Sequence, residues 1–266
     1  MQVSYNKLKT FEECALKYRL TYIEKQPRPP IAWLAFQRKI HAALAKYHTL
    51  ARLDGTVDVD EVLRAYDEIW DVRQHPEVRD AVEYQEGEEI LRLYADLEGR
   101  RNRVPAYLEK KLSVPFGPYT LIGKIDRVDF STNSLSGGEG RGEVNSYSII
   151  DYKLDRKLPP ANPAAVSNQL NFYHLLLYES LGLFADDVRL MYLRHGVEKI
   201  APKDKVTMAK TVDWIDKTAG SIRSERKWSP CEGEACKTCA FVKMCPAKTG
   251  RKREAKVVWE QATLPW

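Results

Sequence analysis

The chain has 266 residues, of which 44% are hydrophobic and 30% are charged, and its formal net charge is +5. This length is enough for a substantial hydrophobic core, and the composition excludes a disordered or fibrous chain. No stretch approaches the ~18 apolar residues of a membrane span, and charged residues interrupt the first positions, so we expect a cytoplasmic protein that needs no membrane.

The apolar spacing changes from helical to strand-like near the middle of the chain. Helices are predicted over about 4–22, 32–50, 60–73 and 77–100. Strands are predicted over about 106–116, 119–130 and 144–154, followed by a helix at 164–181, a strand at 188–194 and a helix at 203–226. This order predicts an α+β fold with a mixed sheet flanked by helices. We interpret residues 1–266 as one domain with a helical insertion near 54–103.

Two predicted strands each carry an acidic residue near their end. Asp126 lies in one apolar run, and Asp151 and Lys153 lie in the next. An isolated carboxylate is costly to bury in such a run, and alternation places Asp151 and Lys153 on one face. Two carboxylates can bind Mg²⁺ or Mn²⁺, and an amine can stabilise charge on a phosphate. The pattern favours phosphodiester hydrolysis over the alternative of ordinary surface ion pairs.

Four further positions could support such a site. Gln169 and Tyr173 lie four residues apart on a predicted helix and therefore share a face, where they could contact a phosphate or the lysine. His41 follows the apolar Ile40 and could be a metal ligand, although a lone helical histidine is more often a boundary residue. Glu109, on the first predicted strand, could support the metal ligands from outside their shell, but a solvent-facing position is the more common case for such a residue.

The last part of the chain is rich in cysteine. Cys236 and Cys239 form a CxxC pair, and Cys245 follows closely within a segment of about 228–250. Three clustered thiolates need a fourth ligand to hold zinc or an iron–sulfur cluster. Cys231 and Cys14 are both candidates, and sequence proximity favours Cys231. An odd total of five cysteines argues against a disulfide framework.

Taken in order, these motifs resemble a RecB-type nuclease of the PD-(D/E)XK superfamily, in its iron–sulfur branch. That branch includes the CRISPR-associated adaptation exonucleases and the nuclease domain of AddB-type helicase–nuclease subunits. The matching pieces are Ser4–Leu8 with Phe11, Cys14 and Tyr18, then His41, Gly123–Arg127, Ile150–Lys153, Gln169–Tyr173, and the trio Cys236, Cys239 and Cys245. The resemblance covers nearly the whole chain and implies a restriction-endonuclease-like fold with a C-terminal iron–sulfur segment.

The resemblance also implies roles for individual residues. Cys14 becomes the preferred fourth ligand of a 4Fe–4S cluster, and Cys231 becomes the spare thiol. His41 becomes a metal ligand beside Asp126 and Asp151, with the carbonyl of Tyr152 as another. Two residues depart from the family pattern: Ala15 stands where proline usually follows the first cysteine, and Asp151 stands where glutamate is common.

The function expected from these observations is a metal-dependent DNA exonuclease that acts on single-stranded ends in CRISPR adaptation or DNA repair. The implied catalytic residues are Asp126, Asp151, Lys153, Gln169 and Tyr173. An alternative is a catalytically silent DNA-binding or assembly subunit that docks to an integrase or a helicase. A complete set of ligands argues for activity, since a pure binding module does not need all of them.

Overall fold

The structure is a computed structural model that describes residues 1–28, 32–54, 57–101, 103–134 and 143–249. Position 250, the end of the predicted cysteine segment, lies outside these ranges. The helices are α1 (Tyr5–Glu13), α2 (Ala15–Tyr18), α3 (Ala32–Asp54), α4 (Val59–Trp70), α5 (Val82–Gly99), α6 (Asn168–Leu181), α7 (Lys205–Ser224) and α8 (Pro246–Thr249). The strands are β1 (Gln2–Val3), β2 (Val104–Phe116), β3 (Tyr119–Ser134), β4 (Glu143–Lys153), β5 (Asp187–Tyr192) and β6 (Val197–Pro202).

The chain divides into two compact units that are each assembled from segments distant in sequence. Unit 1 comprises Met1–Pro30, Val114–Ile122 and Lys210–Trp266. Unit 2 comprises Ile31–Ser113 and Gly123–Ala209. All the candidate metal and catalytic residues belong to unit 2, and all five cysteines belong to unit 1.

Unit 2 contains a mixed sheet. β3 is antiparallel to β4, β4 is parallel to β5, and β5 is antiparallel to β6, while β2 pairs with β3. The predicted α+β class with a mixed sheet is confirmed. Strand β6 was not predicted, because Val197–Pro202 is short and has only one buried residue, Ala201.

The helices α3, α4 and α5 bury one face of β4. Ile150 and Tyr152 belong to a hydrophobic cluster with Ile40 and Leu44 of α3 and Leu91 of α5, all nearly inaccessible to solvent. Because side chains alternate along a strand, Asp151 and Lys153 project from the opposite face. The predicted helical insertion therefore forms the cover of one side of the sheet in this unit.

Helix α6 lies beside the opposite face. The hydroxyl of Ser167 accepts a hydrogen bond of 3.3 Å from the amide of Leu170, which starts the helix at Asn168 rather than at the predicted position 164. Gly182 ends it with a φ of +68°, a left-handed conformation that favours glycine. These two caps fix where Gln169 and Tyr173 stand.

Unit 1 joins the two ends of the described chain. The predicted helix over 4–22 is interrupted at Cys14, whose extended backbone separates α1 from α2. The carboxylate of Glu12 accepts hydrogen bonds from the indole N–H of Trp214 and the hydroxyl of Thr218, at 2.6 and 3.2 Å. Helix α1 is thereby held against α7. None of the described helices combines the length and apolar character needed to cross a bilayer.

Acid is expected to destabilise unit 2 through His174 on α6. This side chain is fully buried, and burial together with the nearby charge of Lys203 lowers its pKa to about 4. The unfolded chain binds a proton near pH 6.5 that the folded chain excludes, so stability is full above that pH and is lost as the pH falls toward 4. The loss should reach about 3 kcal/mol. Urea unfolding at pH 7.5 and at pH 4 measures it.

The control for this prediction is a pair of histidine variants. His174→Phe should remove most of the acid-dependent loss of stability. A phenyl ring should fit there, because the imidazole already packs edge-on against Phe184 with 4.6 Å between the ring centroids. His75→Phe changes an exposed histidine and should leave the loss intact. An equal acid sensitivity in wild type and His174→Phe would contradict the prediction.

Candidate functional site

Three ligand groups from three elements meet in unit 2. His41 of α3, Glu109 of β2 and Asp126 of β3 each offer one ligand atom, and these atoms lie within 4.8 Å of one another. Nδ1 of His41 is 3.4 Å from Oδ1 of Asp126 and 3.5 Å from Oε1 of Glu109. An imidazole and two carboxylates in this arrangement can hold a divalent cation.

The electrostatics of this group suit a cation. Burial alone would lower the pKa of His41, but the facing carboxylates of Asp126 and Glu109 raise it to about 9. Oε1 of Glu109 is buried and, apart from its 3.5 Å approach to Nδ1 of His41, makes no hydrogen bond to any described residue. A buried carboxylate oxygen that is paired so weakly is costly and has lone pairs left for a cation. We therefore regard the three residues as suited to a metal ion.

Sequence reasoning did not predict Glu109 as a metal ligand; it considered a supporting role and favoured a solvent-facing position. Its side chain is only 26% exposed, and its other oxygen pairs with Lys124. The backbone at Glu109 has a φ of +48°, a left-handed conformation that interrupts the regular strand. Such a residue breaks the regular alternation of a strand and can redirect a side chain. Strained backbone of this kind often accompanies functional sites.

Asp151 and Lys153 of β4 form the second half of the site. Nζ of Lys153 is 2.6 Å from Oδ2 of Asp151 and donates to Oε1 of Gln169 at 3.1 Å. The amide of Gln169 donates to Oδ1 of Asp151 at 2.9 Å and to the hydroxyl of Tyr173 at 3.2 Å. The predicted shared faces bring these four residues together. Gln169 acts as a clamp that holds the carboxylate and the ammonium in one geometry.

The two halves of the site meet through β3 and β4. The backbone N–H of Tyr152 donates to Oδ2 of Asp126 at 3.1 Å. Burial raises the pKa of Asp151 to about 6, and the charge of Asp126 adds to this while Lys153 opposes it. Burial lowers the pKa of Lys153, but Asp151 raises it further, so the amine remains an ammonium at neutral pH. The described contacts of Tyr152 involve its amide, ring and hydroxyl, and the predicted role of its carbonyl stays a prediction.

Gly123 allows α6 to approach β3 closely. A Cβ atom at this position would lie 2.7 Å from Cδ2 of the fully buried Leu176 and 3.5 Å from the ring of Tyr173. We expect Gly123→Ala to lower the free energy of unfolding by about 1–3 kcal/mol through overpacking. Displacement of Tyr173 and its partner Gln169 should also reduce the phosphodiester cleavage expected from the sequence on the order of tenfold. Urea unfolding and cleavage rates measure the two effects.

A matched glycine serves as the control. A Cβ atom at Gly99 would meet no described heavy atom within 4 Å, so Gly99→Ala should leave both quantities near wild type. An unchanged stability in Gly123→Ala would show that α6 adjusts freely and that the glycine does not set its position.

The cysteines of unit 1 differ in their surroundings. Cys14, Cys239 and Cys245 pack against an apolar cluster formed by Leu16, Leu20 and Phe241. Cys236 is half-buried, whereas Cys231 is exposed. The backbone N–H of Cys231 lies 3.4 Å from Sγ of Cys14, and its carbonyl accepts a contact of 3.7 Å from Sγ of Cys236. Cys231 thus contacts two of the other cysteines through its backbone.

Sequence proximity had favoured Cys231 as the fourth ligand, and the packing favours Cys14. In the described ranges, no three cysteine sulfurs lie within 4.8 Å of one another. Thiolates bound to one zinc ion at about 2.3 Å would be closer than that, at about 3.8 Å. Among the described residues, no three of these thiols are therefore grouped as tightly as the ligands of a single zinc ion.

Comparison with known proteins identifies the family of the chain. A family model described as the PD-(D/E)XK nuclease superfamily matches residues 2–246. No curated protein matches the chain. A solved structure titled "Crystal structure of SSO0001" is 18% identical, with a TM-score of 0.35, and the match covers 82% of this chain and 96% of that one. The family match spans almost the entire sequence, and the chain belongs to the PD-(D/E)XK nuclease superfamily.

Proposed function

We propose that this protein is a metal-dependent DNA exonuclease that acts on single-stranded ends. The observation that carries the proposal is the convergence of two groups in unit 2: the possible ligands His41, Glu109 and Asp126, and the clamped pair of Asp151 and Lys153. Membership of a nuclease superfamily supports hydrolysis of a nucleic acid chain with a divalent metal ion.

The residues have separate tasks in this proposal. A bound Mg²⁺ or Mn²⁺ would supply an activated water and polarise the phosphate. His41, Glu109 and Asp126 would hold the ion, and Asp151 would complete its ligands once released from Lys153. The ammonium of Lys153 would stabilise negative charge on the attacked phosphate. Gln169 and Tyr173 would orient Asp151 and Lys153, because Gln169 already bonds to both.

We also propose that Cys14, Cys236, Cys239 and Cys245 hold a 4Fe–4S cluster, which would place the protein in the RecB-type iron–sulfur branch of the superfamily. The support is their common half-buried state and, for three of them, a shared apolar cluster. Cluster ligation by four cysteines is a standard arrangement. In this proposal the cluster stabilises unit 1 and takes no part in hydrolysis.

The family resemblance supports two cellular settings, CRISPR adaptation with an integrase partner or DNA repair with a helicase partner, both in the cytoplasm. The neighbouring genes distinguish them. Integrase genes beside this one would support the first setting, and helicase genes would support the second.

The proposed activity is tested with linear and circular single-stranded DNA of the same sequence. In Mn²⁺ the linear strand should be shortened progressively from an end, and the circular strand should stay intact. Excess EDTA should abolish cleavage, since the metal supplies the attacking water. Equal cleavage of both substrates would indicate an endonuclease. Binding without any cleavage would support the silent assembly subunit instead.

A further inference from the structure

Unit 2 contains a buried polar network that the proposed chemistry does not use. Its centre is the guanidinium of Arg127, which is completely inaccessible to solvent. We call it the Arg127 network. Its members are Arg127 and Asp129 of β3, His48 of α3, Tyr94 and Glu98 of α5, and Tyr152 of β4.

Directional contacts surround the guanidinium on every side. Nε and Nη2 face the carboxylate of Asp129, with Nη2 at 2.8 Å from Oδ2. Nη1 donates to Oε2 of Glu98 at 2.7 Å and to the hydroxyl of Tyr94 at 2.8 Å. Arg127 therefore ties β3 to helix α5 with charge-assisted hydrogen bonds, the strong class of such bonds.

The hydroxyl of Tyr94 extends the network to the remaining two elements. It lies 2.6 Å from Nε2 of His48 and 2.9 Å from the hydroxyl of Tyr152. His48 Nε2 is also 2.8 Å from Nη1 of Arg127. One phenol group thus touches residues from α3, β3 and β4 at once.

The network and the candidate metal group share their supporting elements. His41 and His48 are seven residues apart on α3, which is about two helical turns, so both project from one side of the helix. Asp126 directly precedes Arg127 on β3. Tyr152 contacts both sets, because its amide binds Asp126 and its ring packs edge-on against His41 at 5.6 Å.

A role limited to stability would not require this chemistry. Burying an arginine with two carboxylates incurs a desolvation cost, and apolar residues of the same volume often stabilise a core as well or better. Apolar contacts are, however, less directional than hydrogen bonds and specify the orientation of α3 on the sheet less sharply. Hydrogen bonds from a fixed fork permit only one position.

We propose that the Arg127 network is a positioning device for the metal site. It sets α3 on the sheet so that the imidazole of His41 meets Asp126 and Glu109 at ligand distance. This inference rests on the proposed function, since it assumes that His41 and Asp126 hold a metal ion. The six members are positioning residues and touch neither metal nor substrate, apart from the predicted carbonyl contact of Tyr152.

The test is Tyr94→Phe, which removes the shared hydroxyl and keeps the buried ring. Loss of a group that bonds directly to a metal ligand commonly weakens metal binding about 10- to 100-fold. Tyr94 is one contact further out, since it bonds to Tyr152, whose amide holds Asp126. We therefore expect Mn²⁺ affinity to fall about tenfold, the lower end of that range, measured by the electron paramagnetic resonance of free Mn²⁺. Cleavage by Tyr94→Phe should return to the wild-type rate at saturating Mn²⁺.

Tyr66→Phe provides the matched control. Tyr66 is a fully buried tyrosine of α4 that belongs to the same hydrophobic cluster as Tyr94 but not to the network. Its replacement should leave Mn²⁺ affinity unchanged. Thermal unfolding of both variants separates a loss of affinity from a loss of stability. If Tyr94→Phe does not fold, His48→Leu tests the same link between α3 and Arg127, with the same expected loss.

The outcomes distinguish this inference from the proposed function. Wild-type affinity in a folded Tyr94→Phe or His48→Leu, with a lowered unfolding temperature, would overturn the positioning role and leave a structural network. Equal Mn²⁺ binding by wild type and His41→Ala would instead overturn the metal site itself. Weakened binding in Tyr94→Phe and His41→Ala, but not in Tyr66→Phe, is the result that supports both.

Discussion

Replacement of Asp151 by asparagine is expected to reduce DNA cleavage about a thousandfold while leaving the fold intact. The carboxylate is almost completely buried, and its two oxygens engage Gln169 and Lys153 at 2.9 and 2.6 Å. Asparagine has nearly the same shape but carries no charge, so it should lose the metal ligand and the electrostatic partner of Lys153 together. Losses of this size follow removal of one preorganised charge from an active site.

The stability of this variant should move in the opposite direction from its activity. Burial raises the pKa of Asp151 to about 6, above the value of an unfolded aspartate, so the ionised side chain destabilises the folded protein above that pH. Removing the charge should therefore hold or raise the unfolding temperature at pH 7.5. A lower activity that comes with a lower unfolding temperature would contradict the assignment.

Asp155→Asn is the matched control for the same reaction. Asp155 lies four residues further along the chain and is exposed. Its neutralisation should change neither cleavage nor stability appreciably, because exposed charges interact weakly through water. Retention of full activity by Asp151→Asn would remove the catalytic role of this strand, whatever the behaviour of the control.

Local sequence patterns were enough to predict which side chains of the candidate site share a face. Alternation placed Asp151 and Lys153 on one face, and helical spacing placed Gln169 and Tyr173 on another, and in the structure the four side chains are in contact. Both patterns depend only on neighbouring residues, so a single sequence contains them. The general α+β order followed from the same periodicities.

The residues that the sequence did not reveal depend on non-local structure. The ligand position of Glu109 was not predicted, because a positive φ interrupts its strand and a single glutamate carries no signal for that conformation. The break in the first predicted helix at Cys14 was not predicted, because no glycine or proline stands there. Sγ of Cys14 instead accepts the N–H of Lys17 at 3.4 Å and starts α2. The partners of Arg127 on α3 and α5 were invisible because they become neighbours only after folding.

Replacement of Cys14 by alanine is expected to bleach the protein and to destabilise unit 1. If Cys14 and the three C-terminal cysteines bind one 4Fe–4S cluster, its loss removes iron and sulfide together with the brown colour. A link between residue 14 and residue 236 also restricts the unfolded chain over more than 200 residues. By the loop-closure estimate, such a link contributes on the order of 5 kcal/mol to stability.

Cys231→Ala separates the two possible ligand sets. The thiol of Cys231 is exposed, and the contact of this residue with Cys14 comes from its backbone N–H, which alanine retains. We therefore expect Cys231→Ala to keep the colour, the iron and sulfide content and the unfolding temperature of the wild type. Retained iron in Cys14→Ala with bleaching of Cys231→Ala would reverse the assignment of the fourth ligand. A colourless wild type with one bound zinc ion would replace the cluster altogether.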